Sequence, residues 1–406
     1  MVIHKHSIQN VKGESMRRIF FLTFLFFTSI HVIACATEKI VSCLGQPAFV
    51  QKGDFYEISL GSSLPLEGGI STIGKDFSNG LNMVFNLFNK QVQTHKKNIR
   101  LFSLDDHYSD VQGYKNIKTL REKMPIIIGV LKDKVVDLFD LELSNSSMGF
   151  WFGLSGAEPL FRNNNSLVIN MRPSLDREIE GLVQYIVKKR FFENIAVFYE
   201  ESSWGKSGLK SVEKYLKRHN IELRNACAYP VNTVHIKDAL NTLIRVQPSA
   251  VICLAHARPT YNLIQGALSE GLEHIYFFGL STVAPIQYLL KKSRGIDLPM
   301  SLVVPDPFFS PLPIVKKYRE DMQRFFPYVA LSPFSLEGYI VGKLSTHVIQ
   351  KSSLQSTYAG LMHAFESIIE SNFGGLDFNF NRNNRALSSA VWIKEQADKE
   401  AIQVLS

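Results

Sequence analysis

The most constraining feature of the chain is an alternation, sustained from Tyr56 to Leu280, of short apolar runs with segments of helical period. The runs are "YEISL" (Tyr56–Leu60), "IRLFSL" (Ile99–Leu104), "PIIIGVL" (Pro125–Leu131), "FWFGL" (Phe150–Leu154), "SLVINM" (Ser166–Met171), "NIAVFYE" (Asn194–Glu200), "SAVICLA" (Ser249–Ala255) and "HIYFFGL" (His274–Leu280). Between them, Phe77, Leu81, Val84, Phe85 and Phe88 share one face of a helix. Ile179, Leu182, Val183, Ile186 and Val187 share a face of another, with Ser174 as its N-cap. Runs that are apolar throughout belong to parallel strands covered by helices on both faces. Two such series, over 55–171 and 172–305, predict an α/β fold of two doubly wound parallel-sheet lobes. Such sheets bind ligands beyond the carboxyl ends of their strands, so two facing lobes place a ligand cleft between them. The Pro-rich "VVPDPFFSPLPI", Val303–Ile314, reads as a segment crossing between lobes.

The N-terminal part has a different character. After the basic pair Arg17 and Arg18, an apolar run of 16 residues extends from Ile19 to Ala34, interrupted by His31. A spanning helix needs about 20 apolar residues, and this run ends in small residues, so it reads as a secretory signal over residues 1–34. Two processing readings stand side by side, with an uncleaved anchor behind both. Ala34 and Ala36 bracket an A-x-A cleavage site, whereas "VIAC", Val32–Cys35, resembles a bacterial lipoprotein signal that lipidates Cys35 and anchors it to a membrane. Translation has two candidate starts, Met1 and Met16.

Export bears on the remaining chemistry. Removing 1–34 takes away Lys5, Lys12, Arg17, Arg18 and Glu14, which lowers the formal charge from +8 to +5. The other bases are scattered on polar helix faces with no basic stripe of interleaved aromatics, which argues against nucleic acid as a partner. The four cysteines, Cys35, Cys43, Cys227 and Cys253, have no metal-ligand spacing. Cys227 and Cys253 are read as buried thiols in neighbouring strands rather than as a disulfide. "GGISTIGKD", Gly68–Asp76, contains a G-x-x-x-x-G-K string, but Asp76 stands where a phosphate loop needs a hydroxyl. The string is therefore read as a turn that aims a helix N-terminus into the cleft. In "LDDHYSD", Leu104–Asp110, the residues Asp105, Asp106, His107 and Asp110 suggest a metal site. A polar loop with Asp110 capping the next helix explains them without a metal, and that reading is adopted. No nucleophile elbow or zinc-protease motif occurs.

Taken in order, "LPLEGGISTIGKDFSNGLNMVFNLFN", "LDDHYSD", "IIIGVL", "NIAVFYEESSWGKSGL", "VICLAHARPTYNLIQGALSEGL", "YFFGLSTVAP", "FSLEGYIVGKL" and "FGGLDFNFNRNNRALSSAVWI" resemble the type I periplasmic binding proteins. Within these, the resemblance is to the leucine/isoleucine/valine-binding receptors of ABC importers, and it covers Tyr56 to Lys394. It implies a non-enzymatic, cofactor-free receptor outside the cytoplasm, periplasmic or membrane-anchored. Its lobes, 45–171 with 306–375 and 172–305 with 376–400, would close on a small-molecule ligand and present it to a membrane permease. The same module also serves as a sensor or regulatory lipoprotein that signals through a separate protein. A two-lobed glycosyltransferase is a more distant alternative.

Carried over by position, the family's ligand-binding residues fall on Ile73, Asp133, Ser155, Ala157, Trp204, His256 and Ser281. Amino-acid binders of the family place an acid where Ser281 stands and small hydroxyl residues where "KDK", Lys132–Lys134, stands. A buried ammonium lacking a carboxylate costs several kcal/mol. Either Asp133 takes over that pairing, or the ligand is an amide, a urea-like molecule or another small polar solute. Intact-mass measurement of the exported protein is expected to show either a diacylglyceryl group on an N-terminal Cys35 or a chain starting after Ala36.

Overall fold

The computed structural model describes residues 45–131, 135, 149–151, 154–161 and 168–406. Cys35, Cys43 and Asp133 lie outside the described residues. The first sheet is built from β1 (Val50–Lys52), β2 (Phe55–Leu64), β3 (Lys97–Asp105), β4 (Ile126–Val130), β5 (Gly149–Trp151) and β6 (Val168–Ile169). The five strands β2 to β6 run parallel in the order β3-β2-β4-β5-β6, and β1 pairs antiparallel with the start of β2. Helices α1 (Ser71–Asn89) and α2 (Asp110–Arg121) connect its first strands.

The second sheet repeats the plan. Its strands β7 (Ile195–Glu200), β8 (Asn225–Tyr229), β9 (Ala250–Leu254), β10 (Tyr276–Gly279) and β11 (Met300–Leu302) run parallel in the order β8-β7-β9-β10-β11. Helices α3 (Leu175–Lys188), α4 (Ser203–Arg218), α5 (Lys237–Val246), α6 (Ala257–Ser269) and α7 (Ala284–Arg294) alternate with them. In both sheets the chain starts near the middle, steps to one side, and then returns to build outward on the other. That reversal lies between β2 and β4 in one sheet and between β7 and β9 in the other, and it opens a crevice beyond the strand ends.

From β11 the chain returns to the first core with α8 (Pro313–Phe325), α9 (Pro333–Lys351) and α10 (Tyr358–Glu366). A hairpin of β12 (Ile369–Phe373) and β13 (Leu376–Asn379) follows, and then β14 (Val391–Lys394) and β15 (Ile402–Leu405) add antiparallel strands to the second sheet beside β11. Phe378, Phe380 and Leu387 pack into the first core. Segments 170–174, 303–312 and 380–390 thus carry the chain between the two sheets. Among the described residues, no helix is long and apolar enough to cross a membrane.

Several local expectations change. Ser174 does cap α3, accepting from the Arg177 N–H at 3.2 Å. The cap of α2, however, is Ser109, whose hydroxyl accepts from the Gln112 N–H, and Asp110 is the first helical residue. Cys227 and Cys253 are buried free thiols, but they flank β7 in register with Phe198 on its two sides rather than occupying adjacent strands. In the G-x-x-x-x-G-K string, Gly74 and Lys75 already lie inside α1. A Cβ on Gly74 would stand 2.3 Å from the Pro65 carbonyl oxygen, so this glycine answers to helix-on-loop packing and not to a phosphate.

Helices α1 and α9 meet backbone to backbone. A Cβ on Gly80 would lie 1.9 Å from the Ser335 carbonyl oxygen, and one on Gly338 would lie 2.1 Å from that of Phe77. Neither obstacle is a flexible side-chain tip, so the helices would have to separate. We expect Gly338→Ala to lower the unfolding free energy by about 1–3 kcal/mol, read from the urea midpoint.

Candidate functional site

The two reversals face each other across a cleft whose walls come from both sheets. Loop 65–70 and the start of α1 form one wall, together with the turn after β3. The other wall comes from the end of β7, the end of β8, and the turn leading from β9 into α6. Between them lies a chamber of about 550 Å³, lined by Ile70, Ile73 and Tyr108 from the first lobe and by Glu200, Tyr229, His256 and Thr282 from the second. Toward the hinge it narrows to a pocket of about 30 Å³, bounded by Ser155, Arg172, Glu178, Trp204 and Phe334 among others. That inner pocket has room for little more than a water molecule.

Two contacts tie the walls together. Tyr108 Oη and His256 Nε2 share a hydrogen bond of 2.8 Å across the cleft, and the two rings meet edge to face. The Trp204 ring stacks on the other side of the imidazole, with centroids 5.6 Å apart and planes at 12°. His256 is positioned as the N-cap residue of α6, immediately beyond β9. Trp204 stands in the first turn of α4, where the Ser202 hydroxyl accepts from the Gly205 N–H. A Cβ on Gly205 would strike the Glu200 carbonyl oxygen at 2.0 Å, so the turn "ESSWG" can fold tightly enough to bring the indole over the cleft only with glycine there.

The second contact lies deeper. Arg172, at the first passage between sheets, donates from Nη1 to the Leu154 carbonyl at 2.7 Å on the first lobe. Its Nη2 lies 3.4 Å from Glu178 Oε2 and from the Ser281 hydroxyl on the second lobe. Glu337, on α9 of the first lobe, completes the cluster 3.6 Å from Nη1. Glu178 also receives the Ser281 N–H and the Ser301 hydroxyl, both at 2.9 Å. All three charged side chains are buried. Burial pushes the Glu337 carboxyl up to about 7, with Arg172 opposing the rise and Glu178 adding to it.

The structure brings together four of the residues carried over from the family resemblance: Ile73, Ser155, Trp204 and His256 all line the cleft. Ser155 faces the inner pocket with its polar groups engaged, its N–H donating to the Val130 carbonyl at 3.2 Å and its hydroxyl accepting from the Ala157 N–H at 3.1 Å. Ala157 packs into a side core with Ile117 and Leu160 and lines neither chamber. Ser281 sits behind the wall against Glu178, and its neighbour Thr282 reaches the cleft. Tyr108, Arg172, Glu178, Glu200 and Glu337 did not emerge from the sequence. Of these, Glu200 had a readable signal, as a carboxylate closing an otherwise apolar strand. The loop residues Glu67, Asp105 and His107 place ligand atoms within 4.8 Å of one another, but two of the three are exposed and Asp105 already accepts from the Leu66 and His107 N–H groups.

A family model described as periplasmic binding protein matches residues 57–400. The chain belongs to the periplasmic binding protein family. Its fold is that of the type I members. One similar solved structure is described as a possible leucine/isoleucine/valine-binding protein from Rhodopirellula baltica, with 24% identity and a TM-score of 0.78, covering 88% of this chain and 100% of that one. A fatty acid ABC transporter substrate-binding protein from Thermomonospora curvata shares 18% identity at a TM-score of 0.76, covering 88% and 92%. A solute-binding protein from R. palustris in complex with benzoate shares 13% at 0.73, covering 85% and 95%. No curated protein matches the chain. Members of this family bind solutes outside the cytoplasm and make or break no bonds, so this periplasmic binding protein is a solute receptor and not an enzyme.

The hinge cluster makes a pH-dependent prediction. A carboxyl whose folded value is raised stabilises the fold fully below its ordinary value, near 4.5, and that stability is lost as pH rises toward 7. Unfolding free energy measured from pH 4.5 to 7 should therefore decline less steeply in Glu337→Gln than in the unmodified protein. Arg172→Met, which leaves Glu178 and Glu337 buried without their shared cation, should cost about 3–5 kcal/mol at pH 7.5.

Proposed function

We propose that this periplasmic binding protein is the capture component of an ABC importer, taking up a small polar solute between its lobes and passing the closed complex to a membrane permease. The observation that carries this reading is the cleft between the two sheet reversals, walled by both lobes and bridged by Tyr108 and His256. The lobes, 45–171 with 306–375 and 172–305 with the C-terminal strands, move about the three connecting segments, and Cys35 is the candidate anchor at the membrane.

Solute of amino-acid or amide size fits the 550 Å³ chamber. Relatives of this fold are described as binding leucine, fatty acids and benzoate, so the fold itself leaves chemistry to the lining residues. Here that lining mixes aromatic rings with buried polar groups, which favours a small polar molecule over a long acyl chain. A micromolar affinity corresponds to about 8 kcal/mol, within reach of a few cleft hydrogen bonds and one stacked ring. Trp204 lines the inner pocket and stacks on His256, which lines the chamber, so it supports that wall from behind.

The test is native mass spectrometry of the exported protein, followed by calorimetry of whatever small molecule co-purifies. Trp204→Ala should weaken its binding by about tenfold or more while leaving the unfolding midpoint within a few degrees. Unchanged affinity would remove Trp204 from the site.

A further inference from the structure

Glu200 closes β7 at the reversal of the second sheet and lines the main chamber, yet it is only 1% exposed. Among the described residues, its Oε2 has no hydrogen-bond donor. Its Oε1 lies 3.9 Å from His256 Nε2, which is already held by Tyr108 at 2.8 Å. A carboxylate withdrawn from water without donors is unstable by several kcal/mol. The exposed Arg258, which also lines the chamber, is screened by solvent and does little to relieve it.

Among the described residues, several groups that could receive an anion are already engaged. The Ser155 N–H serves Val130, the Ala157 N–H serves Ser155, and the Ser281 N–H serves Glu178. Arg172 is shared between two carboxylates. Tyr108 and Tyr229 line the chamber beside Glu200, and Trp204 stands behind His256.

We propose that Glu200 is the specificity-determining residue of the cleft and that the ligand carries a cationic N–H group, an ammonium, amidinium or guanidinium, which donates to its carboxylate. This rests on the receptor reading and narrows it: the ligand is an organic cation or bears a cationic head, in contrast to the benzoate bound by the relative from R. palustris.

Thermal unfolding of the exported protein tests this with putrescine, agmatine and choline on one side and benzoate and octanoate on the other. At least one of putrescine and agmatine should raise the midpoint, with choline, which has no N–H, giving less, and benzoate and octanoate giving nothing. Glu200→Gln should weaken the active cation about tenfold or more and, without ligand, unfold at the same or a higher temperature because an unpaired buried charge has gone. Stabilisation by benzoate or octanoate that survives Glu200→Gln overturns the assignment while leaving the receptor reading intact. So does a ligand-free Glu200→Gln that unfolds at a lower temperature, and so does no response to either N–H cation. Failure of the receptor reading looks different, as no small molecule in native mass spectra and no midpoint shift with any of the five compounds.

Discussion

Arg172 is the interaction on which the two-lobed arrangement depends. Its guanidinium leaves the first passage between sheets and is held from both sides at once, by Leu154 and Glu337 of the first lobe and by Glu178 and Ser281 of the second. A buried charge is costly unless it is paired, and here each pairing partner belongs to a different part of the hinge. The cluster therefore penalises sliding of one lobe on the other while remaining compatible with rotation about a point close to Arg172. Farther out along the same cleft lie the chamber and its Tyr108–His256 bridge.

The position of the cleft follows from a repeated piece of topology. Both sheets place their first parallel strand inside, with the second strand on one flank and the third on the other, so each has a reversal with loops leading away on either side. Tyr108 comes from the loop after β3, Glu200 ends β7 and His256 stands in the turn beyond β9, so these groups lie at or next to strand ends on either side of the second reversal. The tight contacts at Gly74 and Gly205 set how closely the two helix starts approach the strand ends. Binding and movement are thereby separated, with chemistry at the loops and mechanics at the crossings.

Much of the architecture was legible in the residues. Apolar runs such as "SAVICLA" and "NIAVFYE" became β9 and β7 because a strand buried on both faces must be apolar throughout, and nothing else in such short windows competes with that constraint. The cleft was only partly legible. Trp204 was readable because a large aromatic in a polar turn before a helix has little core to fill, whereas His256 came only from its position in the family resemblance. Ser281 and Ala157 occupy equivalent loops but turn to internal partners, and no local pattern tells a serine that hydrogen-bonds Arg172 from one that meets a ligand. The Arg172 cluster draws residues from 172, 178 and 337, a separation that periodicity cannot register, and β12 and β13 were hidden within a Gly- and Asn-rich stretch. Asp110 lost the capping role to Ser109 because the side chain one residue earlier already reaches the Gln112 N–H.

The central claim is that the lobes rotate about the Arg172 hinge and close on a solute. Small-angle scattering measures this most directly, comparing the protein as exported with the same protein stripped of bound solute by unfolding and refolding. Hinge closure predicts a larger radius of gyration for the stripped protein, returning to the original value when the extracted solute is added back. Identical scattering in all three states would contradict it.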